Sequence, residues 1–475
     1  MAGTNGTSGT DVSAADRPSE DAMFGAPTPA TADPADTPEA TPARALTDDH
    51  GRATEEAMFG GGSARASDAA SSAGEIVPED PLKIGGQLYM RAASGVSTEV
   101  PASKWTFSVP TLVDGYFDAR PNERVRGFVL ARLSYDPTIP DGDEAAASAF
   151  GTQKQLSLAL DQLWLRFDVG RALFVTAGRQ HIKWGAGHFW NPTDFLHQVR
   201  RDPLSPFDAR TGTTMIKVHV PWEKYGWNFY AVGLLEDLAV DGTLGKVGGG
   251  LRAEMVLGTA ELGAEAIFQR GHKPRLGADL SAGVGPFDVY AEASLHKGWE
   301  QPLWRFVDKA NPALGFESWM EKDYTVQATG GLNWTLDYMD INVLTFGAEY
   351  FYNSVGYDDP KLYPLLLSQG AFNPFYLGQH YVGVYGMLST PASWHNLGIV
   401  LSNMGNLSDR SFVARLDVSV VLLTHLRLEG YTAFHYGRDG GEFRFSLDLP
   451  ASPTTPAYVV PTPLAEVGIG LRVSI

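Results

Sequence analysis

Arg179, His181 and Lys183 alternate with Gln180 and Ile182, so on an extended strand the three basic groups share one face. Phe174 and Ile182 take the opposite phase, and the basic face is therefore expected to look into a polar interior. The next strand-like segment adds Lys217 and His219. Between the two runs a loop, Trp184 to Gly212, that carries Asn191, Asp194, His197, Arg200, Arg201, Asp202, Asp208 and Arg210. Opposed acids and bases on a loop folded into a pore would set up a transverse field and select solutes by charge. The alternative is that these charges pair with one another and brace a wall. Charge recurs on alternate positions elsewhere, at Arg124, Arg126 and Arg132 and at Arg252 and Glu254, which extends the candidate pore lining.

None of these residues forms a catalytic constellation. There is no G-x-S-x-G, no H-E-x-x-H and no phosphate-binding glycine loop. His181, His219, His296 and His435 lie on separate segments rather than at metal-ligand spacing. Glu261 and Glu265, four apart on a strand, would stand ~13 Å from each other, too far for shared acid–base work. We expect no enzyme, no metal and no cofactor. A net charge of −18 disfavours nucleic acid.

The elements that must position these charges are strands. From about residue 81 to Ile475 the chain repeats about ten residues of alternating character followed by a turn. Arg252 and Glu254 alternate with Leu251, Ala253 and Met255; Asp288, Tyr290, Glu292, Ser294 and His296 alternate with Val289, Ala291, Ala293 and Leu295. A charged face needs water and an unbroken apolar face needs an oily partner, as the lumen and lipid sides of a transmembrane barrel do. About eighteen such segments begin near residues 84, 106, 123, 155, 173, 213, 227, 247, 260, 274, 287, 323, 341, 380, 396, 411, 426 and 465. Their connections alternate between short and mostly long, the asymmetry of periplasmic turns and external loops. A phase change near Asp161-Gln162 predicts a β-bulge. No apolar run approaches the ~18 residues of a membrane-spanning helix. The fold expected is all-β, an antiparallel up-and-down barrel of about 18 strands in the bacterial outer membrane, surrounded by lipid. A large soluble sandwich or propeller is the alternative.

The stretch Gly178-Arg179-Gln180-His181-Ile182-Lys183-Trp184-Gly185, with Trp190-Asn191-Pro192-Thr193-Asp194 after it, resembles a poorly characterised family of Gram-negative outer-membrane barrels with a GRQ-x-x-x-WG strand end and an NPTD-type loop. More distantly it is similar to porins proposed for alginate and other polysaccharide export. The detailed likeness covers Leu163 to Gly212 and implies an outer-membrane channel and little about substrate; a small hydrophilic solute or a polysaccharide is the expected cargo. At its end, Val473-Ser474-Ile475, the sequence departs from the aromatic residue common in such barrels.

Two long loops, Lys361 to Leu367 and Phe372 to Leu377, are oily for surface segments and are expected to pack together or to plug the mouth. Residues 1–80 are another kind of polymer, with fifteen acidic side chains against four Arg and no Lys. Such a segment cannot bury enough apolar surface to offset its ordering entropy and is expected to be disordered. It holds a repeat, Glu20-Asp21-Ala22-Met23-Phe24-Gly25 and Glu55-Glu56-Ala57-Met58-Phe59-Gly60. Met23, Phe24, Gly25, Met58, Phe59 and Gly60 are candidate docking residues for a periplasmic protein, with avidity from two copies. A duplicated segment without a partner is the alternative. No basic and apolar leader follows Met1, so the sequence reads as a form whose signal peptide has been removed, with the tail in the periplasm. A tail of this kind would also suit an export assembly, or a plugged barrel that anchors a periplasmic complex.

Overall fold

A computed structural model describes residues 81–475 except 141–145, 149–150, 198, 206–209, 236–246, 312–313, 339–341, 390, 392–393, 395 and 450–457. The N-terminal eighty residues, with both Met-Phe-Gly repeats and the disorder expected of them, lie outside the described residues.

Among the described residues eighteen strands form one closed antiparallel barrel. They are β1 (Leu82–Ser97), β2 (Thr111–Asn122), β3 (Val125–Tyr135), β4 (Leu156–Val169), β5 (Leu173–Gln180), β6 (Thr213–Trp222), β7 (Trp227–Leu234), β8 (Gly248–Leu257) and β9 (Ala260–Gln269). The second half is β10 (Arg275–Val284), β11 (Phe287–Lys297), β12 (Tyr324–Tyr338), β13 (Asn342–Asn353), β14 (His380–Ser389), β15 (Leu397–Asn406), β16 (Ser411–Leu423), β17 (Leu426–Gly437) and β18 (Pro463–Ser474). Each strand pairs with its neighbours in sequence. β1 pairs with β18 from Gln87↔Ser474 to Ser97↔Pro463 and closes the ring, which leaves the wall no open edge.

Alternation sets the two faces. Leu251, Leu158, Val467 and Ile469 stand outside, each more than half exposed, while Arg132, Arg252, Glu265, Glu292 and Glu349 are buried inside. That inverts a soluble fold, where charge faces water and aliphatic groups fill the core. The bulge expected near Asp161 is present: Leu130 opposes Gln162 and Ala131 opposes Leu160, leaving Asp161 unpaired and turned inward. Before it Leu156, Leu158 and Leu160 face out; after it Leu163 and Leu165 do.

One strand start is corrected. The segment expected from residue 106 begins at Thr111. Pro110 has no N–H to donate, and Thr106–Ser108 forms a separate short strand on the far end of β1, at Ala93 to Gly95.

The long connections gather at one end. Leu303–Phe306 pairs with Phe316–Trp319 as a hairpin. Pro360–Leu362 and Tyr363–Ser368 form a short 3-10 turn and a helical turn. Tyr363, Leu366, Leu377 and Phe445 make a buried apolar cluster, joined by Trp304, Phe372, Leu447 and Val460. The oily loops therefore pack together as a cap.

Candidate functional site

The described residues of the loop between β5 and β6 (181–212) fold into the barrel. Its apolar residues fill two cores on the inner wall. Trp184, Phe195 and Leu196 pack with Met215, Val232, Leu234 and Ile267, while Phe189 and Trp190 pack with Phe351, Tyr381, Tyr385, Met387 and Met404. Trp190 is fully buried, stacked on Phe351 at 5.7 Å.

A loop inside a barrel meets a wall whose backbone groups are already paired, so its own N–H groups need other acceptors. Two carboxylates supply them. Glu349 of β13 accepts from the backbone N–H of His188 (2.8 Å), Phe189 (3.2 Å) and Trp190 (2.7 Å), and from the Tyr290 hydroxyl (2.7 Å). Glu292 of β11 accepts from Ala186 (2.6 Å), Gly187 (3.0 Å) and Thr193 (3.3 Å). The chain can lie this close because of its glycines. Gly185 has φ +93, and a Cβ there would meet Glu292 Oε2 at 2.2 Å; a Cβ on Gly187 would meet the Trp190 carbonyl at 1.9 Å. The His188 ring accepts at Nε2 from the Asn333 amide (3.0 Å), which in turn takes the Tyr385 hydroxyl at its oxygen (2.8 Å).

The second half of the loop is held by charge. Asp194 accepts from Arg210 (2.7 Å) and contacts His197 Nδ1 (2.8 Å). Burial alone would raise its pKa, but the His197 and Arg210 charges and hydrogen bonds outweigh burial and hold it well below the usual carboxylate range. His197 Nε2 lies 3.3 Å from His181 Nδ1, and His181 Nε2 lies 2.6 Å from Asp161 Oδ1. Asp161 stands 3.6 Å from Arg132, which is paired with Asp114 at 2.9 Å. The Gly212 backbone N–H also donates to Asp161. On the other side, Arg200 donates to Gln327 (2.9 Å) and lies over the Tyr376 ring, while Arg415 of β16 donates to the Leu204 carbonyl (2.6 Å). The loop therefore reaches β4, β11, β12, β13 and β16 and crosses the interior. Between it and the cap lies a cavity of about 460 Å³, lined in part by Arg200, Arg275, His296, Trp299, Gln327 and Tyr376.

The residues singled out from the sequence fall in several places. Arg126 pairs with Asp118 inside the barrel, over the Trp164 ring, and Arg132 is fully engaged with Asp114. Lys217 and His219 also face in, His219 stacked on Tyr230 and bonded to Asn228 (2.9 Å). Arg252 binds Glu254, Glu265 and Asp279, each at 2.7 Å. His181, Asp194 and Arg200 belong to the loop network above; Lys183 and Arg201 line a small pocket with Asp194 and Tyr376.

Two expectations change. Arg124 sits in the exposed turn before β3, near Asp168. Arg179 lies on the outer face opposite Leu163, bonded to the Leu160 carbonyl and the Thr214 hydroxyl. Phe174 is the residue that packs inward, against His219, in phase with the buried Thr176 and Gln180; the strand ends at Gln180, and His181, just beyond it, turns in to Asp161. Asp208 lies outside the described residues. Sequence reasoning missed Glu349 altogether and read Glu292 only as a strand position.

No family model matches the chain, and no curated protein matches it. Among solved structures it is similar to Acinetobacter baumannii OccAB1, at 10% identity and TM-score 0.52, covering 83% of this chain and 96% of that one. It is also similar to Pseudomonas aeruginosa OccK9 (OpdG), at 9% identity and TM-score 0.51, covering 83% and 98%. At these identities the likeness is one of fold.

Proposed function

We propose that the chain is an outer-membrane, porin-like channel for hydrophilic solutes, with loop 181–212 as its constriction. The observation that carries this reading is the grip of Glu292 and Glu349 on six backbone N–H groups of the loop, which fixes a narrow element across a charged interior. Structures of the same fold are outer-membrane porins, which supports the location and the transport role. The apolar outer belt supports lipid as the surrounding medium, with aromatic residues at the short-turn end, Trp222, Tyr225 and Trp227 among them. In this orientation the short turns and the N-terminal tail face the periplasm. The Met-Phe-Gly repeats would then act there as docking peptides, and the GRQ-x-x-x-WG and NPTD segments are the strand end and turn that launch the loop inward.

The test is single-channel recording in planar bilayers with the full chain and with the Glu292→Ala/Glu349→Ala variant. Steady conductance in the wild type, larger and noisier in the variant, is the expected result. A wild type that inserts and passes no current refutes the channel. Equal conductance in both refutes the constriction.

A further inference from the structure

We infer that Asp161, His181, His197 and Asp194 form a latch that one shared proton closes, tying the second half of the loop to the wall. The inference rests on the reading of this loop as the constriction and adds its regulation.

Both ends of the row are carboxylates: Asp161 beside Arg132, Asp194 beside Arg210. A carboxylate only accepts, so His181 must donate from Nε2 and His197 from Nδ1. The two nitrogens left over, His181 Nδ1 and His197 Nε2, face each other at 3.3 Å. If both rings are neutral, both of these nitrogens are bare and their lone pairs oppose. One additional proton turns the contact into N–H···N and completes the row from wall to loop.

The surroundings are set by every element packed there. Arg132 and Asp114 stand behind Asp161 on β3 and β2; Arg179 of β5 is turned outward onto the Leu160 carbonyl. From the loop come Lys183, Arg200 and Arg210 beside Asp194, and Glu265 of β9 repels Asp194 from across the wall. The stretch that the latch holds carries Arg200 at the cavity. The first half of the loop, gripped by Glu292 and Glu349, does not depend on this proton. Loss of the proton therefore loosens His197 and Val199, while Phe195 and Leu196 keep their core packing and 186–193 stay in place.

The chain has no cysteine, so Val199→Cys, at a position 66% exposed, accepts one spin label. Label mobility is read in the folded full chain from about pH 5 to about pH 8, the range in which imidazole ordinarily titrates. The mobile-to-immobile ratio is expected to rise about tenfold with pH, the change that a charged hydrogen bond of ordinary strength carries. His197→Gln and His181→Gln, which cannot take up the proton, should give a mobile label throughout, with no pH response. A wild-type label whose mobility does not change with pH overturns the latch, and so does a response that survives in both folded variants. The wild-type titration needs no histidine variant to fold. Bilayer currents on the same samples separate the two readings: absence of current at every pH refutes the channel, while the label alone decides the latch.

Discussion

Replacing Glu349 with alanine removes the acceptor of three buried backbone N–H groups and one tyrosine hydroxyl in a single step. Each unsatisfied buried donor costs about 1–3 kcal/mol. Four of them would sum to several kcal/mol, but water can reach a polar lumen and recover part of this, so a local loss of about 3 kcal/mol is expected. The loss should stay local. The ladder of β13 with β12 and β14 is made by backbone groups that the substitution does not touch. Phe189 and Trp190 keep their apolar neighbours. The prediction is that amide protons of 186–193 exchange about a hundredfold faster, the equivalent of about 3 kcal/mol. The barrel strands should keep wild-type protection. Hydrogen exchange read by mass spectrometry measures both in one experiment. Unchanged exchange at 186–193 would refute the idea that Glu349 anchors the loop, and accelerated exchange throughout β12–β14 would show that it braces the wall instead.

Two further predictions concern buried charge elsewhere. Glu442, in the cap, accepts from the Tyr381 hydroxyl (2.6 Å), the Asn406 amide (2.8 Å) and the Phe375 backbone N–H, with Asp409 bound to the same Asn406 amide (3.1 Å). Burial pushes Glu442 up to about 8 despite these donors. Its pKa is thus higher in the folded state than in the unfolded chain. The stability it contributes is present in full below the ordinary value of 4.5 and is lost as pH rises through about 8. Thermal unfolding should show the loss between about pH 4.5 and about pH 8 in the wild type, and Glu442→Gln should flatten that dependence; an unaltered slope in the variant refutes the assignment. At the wall, Arg252→Ala leaves Glu254, Glu265 and Asp279 without their common cation and should destabilise the barrel by about 3–5 kcal/mol, measured by urea unfolding in detergent. A loss below about 1 kcal/mol, the size of an exposed ion pair, would mean that water screens the group.

Most of the wall was legible in the sequence because side-chain period is local and each strand pairs with its neighbour in sequence, closure by β1 and β18 being the exception. The strand starts agree with the structure to within two residues at every strand except β2, where a proline and an additional short strand intervene. Even the bulge was legible, since Asp161 separates two leucine runs of opposite phase. Local period fails where the backbone leaves regular geometry. β5 ends at Gln180, so carrying its alternation on to His181 and Lys183 gave Arg179 their inward face when it lies outside. Period also says which face a charge takes and nothing of what meets it there. Arg126 and Arg132 were legible as luminal, but their engagement with Asp118 and Asp114 required the register between β2 and β3.

The loop anchors were hidden for a different reason: His188 and Glu349 are 161 residues apart, and the contact depends on space rather than on pattern. Yet the space itself leaves a trace once strand register is known. Directly across from Glu349 stand Gly331 on one side and Gly383 on the other. A Cβ on Gly331 would strike the Tyr290 hydroxyl at 2.4 Å, and one on Gly383 would strike the Phe189 ring at 2.6 Å. Both glycines hold open the volume that the loop and its supporting tyrosine occupy. Charge gives the complementary sign. Asp114, Asp118, Glu254, Glu265 and Asp279 each contact an arginine, whereas among the described residues Glu292 and Glu349 carry no ion pair. An inward carboxylate with no basic partner still needs donors, because a buried charge left unpaired is costly. In a closed wall the sheet has none to spare, and the remaining source is backbone N–H brought in from outside. At Glu349 an unpartnered acid flanked across the strands by glycines is therefore the imprint of the inward loop, whereas Glu292, opposite Asp279 and Thr329, shows only the missing ion pair.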